Sequence, residues 1–441
     1  MCTVITRLRR HFAAHLLILG ASTALSAPAS AQDTPHVHHG SDTTDDCVSC
    51  PKPRESSGTA WQPDAAGATH GYRTWGGWLV GTHLELTPTA IKETGPRGGA
   101  AFVVPNHGML SMRRQAGGGV LGVRTMMSLE PLMGAEGYPL LLQGGETADG
   151  INPLIDRQHP HDLFMELAAT YERRLVSGAT LSFYAAAVGE PALGPPAFMH
   201  RRSASLLPIS PITHHWIDST HITQGVVTMG LAPSDRLRFE VSAFNGREPD
   251  EKRWGLVAPR LDSFALRVSI NPTDALALQA SAGVVKNPEF LHPDADVTKL
   301  SVSVMHAKRW ADGGLDTLVA VAHSTRTASL YEVPGGFYYT PGATSPAVIA
   351  ESTLRRARHE WVVRAEAVRK GELFGREDPR HTAQFPVGRT TLGYALRVID
   401  RHTSIVRVGA AWSGVFVSQD IRAEYGGHQQ GVIGFVRIEA H

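Results

Sequence analysis

Leu237, Phe239, Val241 and Ala243 alternate with Arg238, Glu240 and Ser242, and this two-residue beat recurs along most of the chain. Phe264, Leu266, Val268 and Ile270 alternate with Ser263, Ala265, Arg267 and Ser269. Leu300, Val302 and Val304 alternate with Ser301 and Ser303, and Val406, Val408, Ala410 and Trp412 with Arg407, Gly409 and Ser413. Successive side chains of a strand point to opposite faces, so each segment carries one apolar and one polar face. No run after the N-terminus reaches the roughly 18 apolar residues of a membrane helix. A chain built this way folds either as a soluble β-sandwich or propeller, or as a membrane barrel whose strands hide their apolarity by alternating.

The N-terminus decides between them. Arg7, Arg9 and Arg10, the apolar run Leu16–Ala24 and Ala29-Ser30-Ala31 stand in the order of a secretory signal, so residues 1–31 are expected to be removed after export. Residues 32–70 are rich in Asp, Ser, Thr, Pro, Gly and His, with hardly a large apolar residue before Trp61. That composition predicts a disordered periplasmic tail. Residues 71–441 show neither a 40-residue repeat, as a propeller would, nor a linker dividing two sandwiches. Roughly sixteen strands can be marked between positions 74 and 439, with boundaries uncertain by several residues. The expectation is all-β: a transmembrane antiparallel β-barrel of about 14–16 strands in the outer membrane of a Gram-negative bacterium, with lipid outside and small solutes inside. Short links such as Pro233-Ser234-Asp235 alternate with long ones at 132–160, 190–218, 246–259, 326–346 and 371–388. The short links would be periplasmic and the long ones external, some folding inward to narrow the lumen. Residues 162–174 fit a helix as well as a strand, and their neighbours favour the strand. A formal net charge of +1 gives no sign of a nucleic-acid partner.

Polar chemistry concentrates between Asp156 and His221. His159 and His161 stand two apart beside Asp156, Arg157 and Asp162. His200 precedes Arg201 and Arg202, and His214, His215 and His221 surround Asp218. Imidazole with carboxylate suits zinc or copper(II), and a thioether such as Met199 favours copper(I). The same groups equally suit an inward loop hydrogen-bonded to a barrel wall, because buried backbone must be satisfied. Ser219 beside Asp218 and His221 supplies the residue types of a lipid hydrolase without evidence of their geometry. Arg247 and Glu248 open a charged run that reads as a solvated loop or a pore rim. In the tail, His36, His38, His39, Cys47 and Cys50 could capture copper or zinc; in an oxidising periplasm the C-x-x-C could instead close a local disulfide.

Several motifs together resemble a family of Gram-negative outer-membrane proteins of unassigned function. They are Gly58 to Pro63, Ser128 to Pro131, Tyr138 to Gln143, Asp156 to Asp162, Gly189 to Pro196, His214 to Thr220 and Phe244 to Asp250. The resemblance implies a barrel, often encoded beside copper and heavy-metal resistance genes, with a His- and Met-rich N-terminal segment. Here His36-Val37-His38-His39 is present without the methionines. No catalytic residue or resident cofactor is implied. Together these readings predict a porin-like channel, with a non-conducting metal-binding barrel as the alternative, and a homo-oligomer left open.

Overall fold

The computed structural model describes residues 47, 49–67, 71–292, 294–333, 336–401 and 403–441. The expected signal and His36, His38 and His39 lie outside the described residues. No helix among the described residues is long and apolar enough to cross a membrane.

The chain from position 71 is almost entirely strand. Its elements begin with β1 (Tyr72–Trp75), β2 (Trp78–Leu86), β3 (Thr89–Glu93), β4 (Gly99–Val103), β5 (Asn106–Ala116) and β6 (Gly119–Met127). There follow β7 (Tyr138–Thr147), β8 (Pro153–Gln158), β9 (Phe164–Arg174), β10 (Thr180–Gly189), β11 (Thr223–Ser234) and β12 (Leu237–Phe244). Next are β13 (Ser263–Thr273), β14 (Leu276–Val285), β15 (Val297–Trp310), β16 (Gly313–Arg326), β17 (Ser329–Val333) and β18 (Gly336–Thr340). The last are β19 (Ala343–Arg356), β20 (His359–Lys370), β21 (Phe385–Arg401), β22 (Ser404–Val417) and β23 (Gln429–Ala440).

Each wall strand pairs antiparallel with its sequence neighbour, as in Leu237↔Ile270 between β12 and β13. The wall closes where β23 meets the start of the chain, through Leu84↔Ala440 and Gly431↔Glu93. Proline breaks two wall strands without ending them. Pro88 separates β2 from β3, Pro105 separates β4 from β5, and the two halves stay in one wall position. β1 and β23 also share one position, since β1 pairs with Trp78–Gly81 of β2 and β23 with Leu84–Leu86 on the side that β5 leaves free. Counted so, the described residues form a closed sixteen-stranded barrel. Residues 162–174 are mostly strand, as β9. The hairpins β7–β8 and β17–β18 lie outside the wall sheet, within two of the expected long loops.

The amphipathic strands face opposite to those of a water-soluble protein. Leu266 is 59% exposed and Phe264 58%, while Arg267 on the same strand is 1% exposed and Glu240 beside it 4%. An apolar exterior around a charged interior suits lipid outside. Links at 117–118, 235–236, 274–275 and 311–312 are tight and share one end of the barrel; links at 128–163, 190–222 and 245–262 emerge at the other.

A wall of sixteen strands encloses more space than its own side chains can fill, and three chain segments enter it. The first lies in the described part of 32–70, and there it departs from the disordered tail expected. Residues 49–67 run inside the barrel, with Ala60, Trp61 and Ala66 buried. Apolar content does not hold this segment; wall donors do. Arg124 donates to Gly58 O at 2.7 Å, Arg267 to Thr59 Oγ1 at 2.7 Å, Asn271 to Gln62 O at 2.9 Å and Arg309 to Ala66 O at 3.0 Å. The second is β7–β8, whose Leu140, Leu141 and Leu142 are buried against Leu207, Ile433, Ile212 and Phe385, among others. The third is 190–222, in which Ala192, Ala197, Ala204, Ile212 and Thr213 are fully enclosed.

Candidate functional site

The third segment is fixed by a buried ionic knot. Arg201 donates from Nε to Glu351 Oε1 at 2.9 Å and from Nη1 to Pro196 O at 2.7 Å, and it also pairs with Asp218. Glu351 on β19 accepts further from Ser203 at 2.9 Å and from Arg364 of β20 at 3.2 Å. Arg355 donates to Arg202 O at 2.8 Å, and Thr213 donates to Glu366 through both its amide and its hydroxyl. Burial and the neighbouring Arg355 guanidinium bring Arg202 down to about 10. Asp156 plays the same part for β7–β8. It accepts the Leu142 amide at 2.7 Å and the Tyr425 hydroxyl at 3.0 Å, and it pairs with Arg97 at 2.7 Å. Arg157 caps the carbonyls of Glu136 and Gly137. Asp156, Arg157, Arg201, Arg202 and Asp218 therefore anchor inward backbone to its surroundings.

Of the six histidines singled out between Asp156 and His221, five come together. Ring centroids are 6.4 Å apart for His159–His215, 5.9 Å for His214–His215, 5.0 Å for His214–His221 and 5.6 Å for His161–His221. A helical turn at His214–Ile217 presents two of them, and the extended chain between β8 and β9 presents His159 and His161. Most have an oxygen partner. His159 Nε2 is 3.0 Å from Glu146, His161 Nδ1 is 2.9 Å from Glu130, His214 Nδ1 is 2.6 Å from Asp218 and His221 Nδ1 is 3.0 Å from Asp218 O. His221 Nε2 is buried without a hydrogen-bond partner. His200 does not join them; its ring lies 6.3 Å from His107.

Burial disfavours the charged imidazole. It holds His221 well below its ordinary value, helped by the nearby His214 and His161. His215 is lowered the same way, by burial and then Lys370. For His161 burial acts downward too, but the Glu130 carboxylate outweighs it and raises the imidazole. Burial pushes Asp162 up to about 7 against the pull of Arg253, and Glu248 up to about 7, helped by Glu146. Arg247 donates to Glu289 O at 3.0 Å and stacks over Phe290.

Three of the interior cavities are neighbours that share lining residues. One of about 120 Å³ near the tight turns is lined by Arg113, Arg124, Glu172, His200 and His221. A central one of about 40 Å³ is lined by His159, His161, His214, His215 and His221. An outer one of about 80 Å³ among the long loops is lined by His215, Glu248, Lys299 and Glu372. His221 borders the first two; His215, Glu248 and Lys299 border the last two.

Ser219 lacks a histidine base. Its hydroxyl lies 2.9 Å from Lys299 Nζ and 3.4 Å from His215 O, while His221 turns Nδ1 to a backbone carbonyl. Lys299 also donates to His215 O at 3.0 Å, so its ammonium serves as a donor in this arrangement. Cys47 and Cys50 are both disulfide-bonded, and a disulfide sulfur is not a thiolate ligand. The metal reading of these two thus gives way to the disulfide weighed beside it.

Sequence reading missed a further cluster. His83, Glu85 and His107 bring one ligand atom each within 4.8 Å of one another. Glu85 stands directly across from His107 in the β2–β5 register, with His83 two residues away on the same face. His441 Nδ1 lies 3.3 Å from His83 Nδ1, but Arg437 already pairs with Glu85 at 3.1 Å. The inward parity of His83-x-Glu85 was a visible signal; its partner 22 residues on was not.

No protein-family model matches the sequence, and no curated protein does. Solved structures of similar shape are outer-membrane proteins. Salmonella typhi OmpF, in complex with daunomycin, is 8% identical, covering 84% of this chain and 100% of its own, with a TM-score of 0.49. The outer membrane channel DcaP of Acinetobacter baumannii is 11% identical, covering 83% and 99%, also at 0.49. An anion-selective porin from Comamonas acidovorans is 10% identical, covering 82% and 99%, at 0.48. Likeness at this level carries no argument about function, and the barrel rests on its own strand registers.

Proposed function

We propose that the chain is a porin-like barrel of the Gram-negative outer membrane that passes small solutes through a lumen narrowed by its own inward segments. The observation that carries this reading is the set of three neighbouring cavities sharing His221, His215, Glu248 and Lys299 at their borders. The apolar exterior supports the membrane setting. The passage is bounded by chain on one side and wall on the other, so its conductance should be far below that of an open barrel of this size. Single-channel recording of the purified protein in a planar bilayer tests it. Small unitary steps are expected, and larger ones when residues 195–212 are replaced by a short Gly/Ser linker. Absence of current from both proteins would overturn the channel.

A second reading is a metal-binding barrel tied to copper or zinc homeostasis that need not conduct, favoured by the convergence of His159, His161, His214, His215 and His221. Copper and zinc titrations of wild type against a His159→Ala/His161→Ala variant test it. Equal, weak binding in both would remove it.

A further inference from the structure

The outer cavity holds a constellation that neither reading uses. Two loops, 286–296 and 371–384, bring Glu289, His292 and Glu372 together there. His292 Nε2 lies 3.3 Å from Glu372 Oε1 and 3.8 Å from Glu289 Oε2. Ligand atoms of all three fall within 4.8 Å of one another. Zinc binds imidazole nitrogen and carboxylate oxygen at about 2.0–2.2 Å, which at a tetrahedral angle puts two ligand atoms roughly 3.3–3.5 Å apart. The His292–Glu372 spacing already has that value, and the His292–Glu289 spacing exceeds it by a few tenths of an ångström.

Two further observations point to a ligand. His292 is 8% exposed, and Glu289 Oε2, the carboxylate oxygen facing its Nε2, is buried without a hydrogen-bond partner. Native proteins rarely leave such atoms unmet. Glu372 also holds a positive φ of 59°, a conformation that costs a non-glycine residue energy and tends to persist at functional sites. Arg326, Lys299 and Lys370 line the same cavity as these carboxylates and Glu248. The pocket thus gathers both signs of charge around a group of donors with ligand spacing.

We propose that Glu289, His292 and Glu372 form a binding site for a divalent transition metal of the zinc class at the long-loop mouth of the lumen. The imidazole and two carboxylates supply three ligands, and the adjoining cavity leaves room for water or solute as a fourth. The site borders His215 but uses none of His159, His161, His214 and His221, and it does not depend on conduction.

The test is a stoichiometric zinc titration of the full chain in detergent micelles, against a chromophoric chelator. Wild type and His159→Ala/His161→Ala should both retain one equivalent that His292→Ala and Glu372→Gln each lose. Cobalt(II) in the same protein should give a visible d–d band that disappears in His292→Ala. Because an alanine variant could misfold, His292→Gln is measured alongside, and heat-dependent gel mobility reports the folded barrel. Unchanged stoichiometry in folded His292→Gln and Glu372→Gln would overturn the site. So would a wild-type protein that takes up no zinc.

Discussion

Replacing Arg201 by alanine should loosen the inward segment without opening the barrel wall. Arg201 and both its carboxylate partners are fully buried, so removing the guanidinium leaves Asp218 and Glu351 short of a counter-charge in a dry site. Breaking a buried pair typically costs about 3–5 kcal/mol. Each carboxylate keeps another partner, Asp218 with His214 at 2.6 Å and Glu351 with Arg364 at 3.2 Å. The lower end, about 3 kcal/mol, therefore applies, equivalent to a roughly 100-fold rise in the locally open population. Native-state hydrogen exchange in detergent reads this directly. Amides of 197–207 should lose about two decades of protection in Arg201→Ala, while the β15 and β16 amides keep theirs. Arg201→Lys keeps the charge but loses the fork that reaches Glu351, Asp218 and Pro196 O together, and should fall between. If Arg201→Ala exchanges like wild type, the segment is held by apolar packing, and the ionic knot is incidental.

Three further outcomes follow from the same geometry. Gly58 sits at φ +53°, and a methyl group there would meet Glu190 Cβ at 2.7 Å; Gly58→Ala should unseat residues 49–67 and expose them to limited proteolysis. His161 is raised by Glu130, so its contribution is complete below its ordinary value near 6.5 and is lost as pH climbs through the folded value. Glu130 is lowered by His161, so its share is lost only as pH falls through its depressed value. Denaturant unfolding should therefore show Glu130→Gln costing more at about pH 5.5 than at about pH 8.5, and an equal cost at both would refute the pairing. Leu266 faces outward near the middle of β13, and Leu266→Lys should destabilise the refolded barrel by about 2–4 kcal/mol in lipid vesicles.

The wall was legible because its code is local. Alternation at Phe264–Ile270 or Leu300–Val304 needs no partner to be recognised, and glycine and proline punctuate the links. The interior was legible only in part. His159, His161, His214, His215 and His221 stood out as a dense patch and do converge. Residues 49–67 did not read as structured, because their anchors are Arg124, Arg267, Asn271 and Arg309, far away in sequence and visible only as inward positions of other strands. Glu289, His292 and Glu372 carried no signal for the same reason, being joined across two loops some 80 residues apart.

The arginines explain why the interior takes this form. A lumen this wide, once filled by chain, contains irregular backbone away from bulk water, and each carbonyl there needs a donor. Helices would supply their own, but most of 49–67 and most of 190–222 are not helical. The donors come instead from long inward side chains: Arg124 to Gly58, Arg267 to Gly194, Arg355 to Arg202 and Arg364 to Ile209. A guanidinium spans from wall to segment and still has hydrogens left for a carboxylate, which is why Glu166, Glu240 and Glu351 accompany it. Filling the barrel thus consumes most of the interior charge in holding the filling. The central imidazoles line the middle of the space that remains, the carboxylates with Lys299, Arg326 and Lys370 line it at the long-loop mouth, and Arg113 and Arg124 line it near the tight turns. Substitutions at the imidazoles and mouth carboxylates should alter what that space binds, while substitutions at Arg201, Arg267 or Arg364, which line none of the three cavities, should alter the fold of the plug.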